Sequence, residues 1–484
     1  MIRRLLLLPL LALLLAACEK ETPIQITLSQ SEMLLPGEQG AQTTCRITAS
    51  GAWTLTISGE DFEATPLSGS AGETLLTVVS TSENTQKQRR TLGEIMLRPN
   101  AKGNIQRIEV QQRPMTAPRS FFFFFIGTDL QKYFNENLRD AVSSIDATTL
   151  GDSRIAAFRY NTTDKVWEIA ELHYDPASDA GTITTVEQFE EIDRNNPTFI
   201  TEIIEKMKSY FPATEYGLAF GGHGTGWLPI GSVLMKARLY AGDNYPITRY
   251  YGEPGSMFEI TEIAESLTAT ETLFDYIIFD DCFMSNIETL YTLRSNARYI
   301  IASPCEVMGK GFPYQYVIPA VMTPNATLED RLQNVCEKYY NFYLSEYDPY
   351  YISGCVAMTD CSQLEYLAET ACSLFATSTA TCDPTQLQYY EEMSSHLFYD
   401  FRQYAEQIAT DPRALRLFQE QFDQTFPPEC QFHTPSFFSV YVYPYKELTP
   451  IKYYSGVTCS APASRYITEN QQTEWWRATH PIGK

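Results

Sequence analysis

The sequence predicts an α/β protein whose parallel sheet is covered by helices on both faces, preceded by a small all-β sandwich domain. Three observations carry that prediction. Residues 23–114 are short alternating runs, TPIQITLSQSEMLL, AWTLTISG, TLLTVVST, LGEIMLRP and NIQRIEVQQ, split by Gly, Pro, Ser or Asn, which is the spacing of a sandwich. From about residue 119, apolar strands alternate with helical stretches, as in βαβ units. The segments FFFFFIGTDL (121–130), YGLAFGGHGTGW (216–227) and FDYIIFDDC (274–282) carry runs of Leu, Ile, Phe and Tyr bounded by polar or Gly-rich breaks. Such runs fit strands buried on both faces.

The chain opens on Arg3 and Arg4 followed by an apolar run from Leu5 to Ala17, a targeting segment too short to span a membrane with those flanks. Its end, Leu15-Ala16-Ala17-Cys18, resembles a bacterial lipobox. That resemblance implies a signal peptide over 1–18 and a mature chain anchored to the cell envelope through a lipidated Cys18, as an outer-membrane lipoprotein. The alternative is a plain secretory peptide cleaved near the alanine pair.

In the sandwich, Trp53, SGSAGE (68–73), Arg90 and the closing Val110-Gln111-Gln112 resemble the N-terminal modules called BACON domains, named for their association with Bacteroides carbohydrate proteins. That resemblance leaves two readings open, a sugar-binding module and a spacer. RPMTAPRS (113–120) reads as the linker. Phe121 to Phe125 then form a central strand, RDAVSSI a helix and SRIAAFRY the next strand. VEQFEEIDRNNPTFITEIIEKMKSYF (186–211) has helical spacing up to the strand that ends at His223. From about residue 320 the chain is helical and rich in Tyr and returns to strand at FFSVYVYPY. This stretch reads as a C-terminal subdomain packed on the core.

Two side chains carry candidate chemistry. Ligands and reactive groups in open α/β sheets gather beyond the carboxyl ends of the strands, and two such strands end in His223 and Cys282. A thiol nucleophile beside an imidazole base is one arrangement that edge could hold. The chain has five His, and one sits in a Gly-Gly-His-Gly setting. The bland alternatives are a buried core cysteine and a turn histidine. No CxxC, HExxH or second nearby His supplies metal ligands.

These residues resemble the clostripain family of cysteine peptidases, relatives of the caspases and gingipains. The likeness covers roughly residues 119–484. It rests on His223-Gly224-Thr225-Gly226-Trp227, on Asp280-Asp281-Cys282 followed by Glu288, on ASPCEVMGKGFPY (302–314), on the opening strand at 121–130, and on SVYVYP (439–444) with Trp475. Asp281 stands where the family has a small residue, Phe312 where it has Trp, and Pro304 and Cys305 where acidic residues are common.

The resemblance implies a caspase-like fold and endopeptidase activity from a dyad of Cys282 and His223, with an oxyanion site at the backbone N–H groups of Gly224 and Cys282. It further implies that Asp280 lines a pocket selecting peptide substrates with Arg or Lys. Asp281 is the alternative for that pocket, since neighbouring strand residues face opposite ways; either carboxylate could instead cap a helix starting near Phe283. Relatives that mature by cutting themselves between the catalytic His and Cys suggest self-cleavage in 231–246, at Lys236 or Arg238. Against this, Leu234, Leu239 and Tyr240 could form a strand or flap. No cofactor is expected, although the resemblance leaves room for calcium.

A net charge of −23 argues against nucleic acid or an anionic membrane surface as partner and suits attraction of cationic peptides. The membrane partner is therefore the lipid anchor alone. Nine further cysteines, at 45, 305, 336, 355, 361, 372, 382, 430 and 459, could pair after export, with at least one left over. The rival function is a non-catalytic surface lipoprotein that binds peptide or glycan through a degenerate peptidase fold and the sandwich.

Overall fold

The computed structural model describes residues 22–127, 130–230, 258–441 and 448–480. Cys18, Lys236 and Arg238 lie outside these residues. The chain divides into two compact units, Met1–Met115 and Thr116–Lys484.

Among its described residues the first unit contains nine strands: β1 (Ile26–Leu28), β2 (Glu32–Leu35), β3 (Gln42–Ala49), β4 (Trp53–Gly59), β5 (Phe62–Thr65), β6 (Ser68–Gly69), β7 (Gly72–Ser80), β8 (Arg90–Pro99) and β9 (Gln106–Gln112). They form a sheet of order β1-β3-β7-β5 and a second of order β2-β9-β8-β4-β6. In β3, Cys45, Ile47 and Ala49 are buried while the residues between them face solvent, the period-2 pattern of a half-buried strand. Trp53 is fully buried in this core, so its indole offers no platform to a sugar.

The second unit is built on a nine-stranded sheet. Its strands are β10 (Ala117–Phe125), β11 (Arg154–Asn161), β12 (Val166–Asp175), β13 (Ala180–Phe189), β14 (Ala213–Gly221), β15 (Phe274–Asp280), β16 (Ala297–Ala302), β17 (Cys355–Asp360) and, after the two-residue β18 (Tyr399–Asp400), β19 (Gln431–His433). The sheet order is β13-β12-β11-β10-β14-β15-β16-β17-β19. The central five strands, β11 to β16, run parallel. Both flanks are antiparallel, so the sheet is mixed. The last two flanking strands come from the region after residue 320.

The phenylalanine run shows why helices cover both faces. Phe121 to Phe125 are all fully buried. Phe123 meets Tyr314 and Phe125 meets Phe134, while Phe124 meets Phe199 on the opposite face. The helices named here are α1 (Gln131–Ser143), α2 (Phe199–Tyr210), α3 (Ile260–Ala269), α4 (Ile287–Thr292) and α5 (Tyr314–Met322). Fully burying one such ring contributes about 1.5–3 kcal/mol, so this single strand anchors both layers.

Four sequence expectations are corrected. The strand begins at Ala117, inside the expected linker, because Arg119 pairs with Glu215 of β14 both in register and as an ion pair at 3.4 Å. The expected helix over 186–211 is a helix only over Phe199–Tyr210; Val186 to Phe189 belong to the edge strand β13. There Glu187 pairs with Ile169 of β12 and its carboxylate holds Lys206 at 2.7 Å. Of FFSVYVYPY, only Phe437, the end of the strand Ser436–Phe437, is strand among the described residues. Beyond it, the Ser439 hydroxyl and Val440 N–H donate to Glu306, at 2.8 and 3.0 Å, and not to a strand ladder. The helix expected near Phe283 starts at Ile287, capped by Asn286, whose Oδ1 accepts from Thr289 N at 2.9 Å.

Candidate active site

Strands β14 and β15 are parallel neighbours with Gly221 opposite Asp280. His223 and Cys282 each lie two residues past that pair, so the sheet delivers them from adjacent strand ends at equal offset. Contacts beyond the strands keep the two segments together. The Gly222 N–H donates to Asp281 Oδ1 in a short hydrogen bond. Gly224 packs so closely that a Cβ there would stand 2.4 Å from Cys282 O and 2.8 Å from Asp281 Cβ. Gly226 has φ +62°, in the left-handed region, and a Cβ there would stand 2.4 Å from Asn286 Nδ2. These two glycines therefore permit close approach at one position and a positive φ at the other.

The turn after Cys282 is strained and held by packing. Phe283 has φ +59°, which costs a bulky residue on the order of 1–3 kcal/mol. Its ring is fully buried and stacks on Phe398 at 4.8 Å, and its N–H donates to Cys305 O at 3.1 Å. Asn286 Nδ2 donates to Phe283 O, closing the turn into α4.

Cys282 is fully buried. Its Sγ accepts the Val307 N–H at 3.2 Å. Burial pushes the thiol well above its ordinary pKa; the Glu306 carboxylate raises it further, the Val307 N–H works the other way, and Asp281 adds to the rise. In this arrangement Cys282 is a neutral, covered thiol. His223 is half-buried.

The acidic pair takes two different roles. Asp280 is fully buried; its Oδ1 accepts from Phe312 N at 3.2 Å and its Oδ2 from Tyr314 OH at 3.0 Å. Asp281, also buried, joins the two loops through Gly222. Neither caps α4.

Sequence reasoning missed the supporting shell. Trp227 Nε1 donates to Ser460 Oγ at 2.9 Å, and Ser460 N donates to Glu288 Oε1 at 2.8 Å, with Asn470 Nδ2 on the same oxygen at 3.0 Å. This chain of contacts couples the histidine loop to the helix after Cys282. Burial lifts the Glu288 carboxyl to about 7 against the donated hydrogen bonds. Trp227 and Glu288 carried a signal through the family likeness, and Glu306 and Val307 lie within its ASPCEVMGKGFPY segment; Ser460 carried none.

Among the described residues, no group of three or more His, Cys, Asp or Glu side chains is arranged to hold a metal ion. Among the same residues, no helix is long and apolar enough to cross a membrane.

Comparison with known proteins gives a consistent family. The model of the clostripain family matches residues 157–474. A secreted C11 cysteine protease from Bacteroides thetaiotaomicron is 27% identical with a TM-score of 0.64, over 76% of this chain and 100% of that one. An inactive zymogen C11 protease from Parabacteroides distasonis is 26% identical with a TM-score of 0.62, over 76% of this chain and 99% of that one. A second structure of a secreted C11 cysteine protease from Bacteroides thetaiotaomicron, in complex with an irreversible peptide inhibitor, is 20% identical. Its TM-score is 0.63 over 75% of this chain and 99% of that one, a likeness of fold. No curated protein sequence matches.

Proposed function

Because the chain belongs to the clostripain family and is a cysteine protease of that family, we propose that it cleaves peptide bonds after Arg or Lys with Cys282 as nucleophile and His223 as base. The observation that carries this reading is the matched offset of the two residues beyond the Gly221–Asp280 pair. His223 takes the Cys282 proton, the thiolate attacks the carbonyl carbon, and the imidazolium returns the proton to the leaving amine. The Gly224 and Cys282 N–H groups receive the oxyanion, a contact worth on the order of 3 kcal/mol per donor. Asp280 supplies the negative charge for a basic side chain through a charge-assisted contact.

The covered thiol corresponds to a resting form. Desolvation is the largest cause of its raised pKa. Turnover of Arg- and Lys-terminated fluorogenic peptides by the purified soluble form, beside Cys282→Ala, tests the activity; failure of every peptide with the intact site would favour the binding-protein reading. Anchoring at Cys18 belongs to the same proposal: Cys18→Ala should leave the membrane fraction, and an unchanged distribution would reject the anchor.

Self-cleavage at Lys236 or Arg238 follows from the same specificity. Wild type should purify as two associated fragments with a new terminus at Ala237 or Leu239, and Cys282→Ala as one intact chain. An active enzyme that stays uncut would remove self-cleavage and leave the dyad standing.

A further inference from the structure

We propose that Cys305 and Cys355 form a disulfide in the exported protein, a modification site that pins the segment lying on the Cys282 thiol. The pairing rests on register and on contact. Strands β16 and β17 are antiparallel with Ala302 opposite Ala357. Cys305 follows the end of β16 by three residues, and Cys355 opens β17 two residues before Ala357. A turn then brings Cys305 inward: its N–H donates to Ser303 Oγ at 3.2 Å, and its Sγ lies 3.5 Å from the same hydroxyl.

Both thiols are fully buried in one small cluster with Tyr390 and Phe437, and, after burial, the nearby Cys305 is the main cause that pushes the Cys355 thiol up. All ten described cysteines are free thiols in this structure. Two other pairs lie near each other, Cys336 with Cys430 and Cys382 with Cys459.

The consequence falls on the candidate site. The segment from Ser303 to Val307 is laced to the turn after Cys282 by three bonds. Ser303 O accepts Ser285 N at 2.9 Å, Cys305 O accepts Phe283 N at 3.1 Å, and Val307 N donates to Cys282 Sγ at 3.2 Å. A covalent tie from Cys305, in the middle of that lacing, to β17 fixes the segment to the sheet. The reaction balances by thiol–disulfide exchange. Cys305 and Cys355 each lose a proton and together give two electrons to a disulfide oxidant, such as oxidised glutathione or an envelope dithiol oxidase. The S–S bond of the oxidant breaks and takes up both protons as two thiols. Because both cysteines are covered in the folded chain, the bond forms while the chain folds after export, where disulfides persist.

The test uses the full chain carrying Cys282→Ala, which removes self-cleavage and exchange with the site thiol. The chain is folded in an oxidising glutathione buffer, quenched with acid, alkylated in denaturant and digested. The expected result is a peptide pair joining Cys305 to Cys355 that disappears on reduction. Reduction should also lower the thermal midpoint by about 5 °C, since the bond closes a loop of about fifty residues in a large domain. Added Cys305→Ser or Cys355→Ser should each abolish the pair and that shift. Alkylation of both Cys305 and Cys355 in the oxidised chain, or their capture in pairs with other cysteines, would overturn the proposal. The peptide map decides this whether or not the serine variants fold.

Discussion

Replacing Cys282 with alanine is expected to lower turnover of an Arg-terminated peptide by about 10⁴-fold or more, because the nucleophile itself is gone. His223→Ala should fall nearly as far. Proton transfer alone is worth about 10²–10⁴-fold, and without a base the buried thiol, already held above its ordinary pKa by desolvation and by Glu306, stays protonated. The two losses should not add: the double variant should be no slower than Cys282→Ala, since both residues serve one step. The fold should survive. Removing Sγ leaves the Val307 N–H without its sulfur acceptor, a cost of roughly 1–3 kcal/mol, small beside the core of the second unit. Wild-type turnover in either single variant, with unchanged circular dichroism, would remove the dyad.

The second large effect is expected at Asp280, where charge and structure can be separated. Asp280→Asn keeps one acceptor oxygen for the Phe312 N–H seen at 3.2 Å and turns the contact with Tyr314 OH, seen at 3.0 Å, into one in which the amide must donate to the hydroxyl oxygen, and it removes the negative charge. It should lower kcat/KM for Arg and Lys peptides by about 10²-fold or more while changing neutral peptides little. Asp280→Ala should show the same selective loss and, in addition, a destabilisation of roughly 1–3 kcal/mol from the stranded buried donors. Equal losses on charged and neutral substrates would make Asp280 purely structural. A selective loss at Asp281→Ala would instead move the pocket by one residue, against the bond that commits Asp281 to Gly222.

What the sequence disclosed and what it hid have physical reasons. Five phenylalanines in a row can only be buried on both faces, and Phe121 to Phe125 are. Strand ends carrying His223 and Cys282 were legible because glycines and apolar runs mark them locally. The antiparallel flanks were not, because nothing in β12 or β17 encodes direction; that is decided by the connections. The edge strand at Val186 to Phe189 was mistaken for helix because it lacks an apolar-in, polar-out alternation, with Val186 exposed and Glu187 half-buried, so Val-Glu-Gln-Phe-Glu-Glu fits either period. The contacts of Glu306, Val307 and Ser460 were invisible because their partners lie 133, 25 and 172 residues away in the chain. Asn286 was overlooked as a cap because Phe283, at positive φ, delays the helix beyond the point where the acidic pair would have capped it.

The most direct test of the central claim is covalent. A peptidyl acyloxymethyl ketone ending in Arg, incubated with the active enzyme and mapped by mass spectrometry, should leave a single adduct on the Cys282 sulfur. That adduct should be lost in His223→Ala and outcompeted by an Arg peptide but not by a neutral one. An adduct on another residue, or full peptide turnover by enzyme whose Cys282 remains unmodified, would contradict the account.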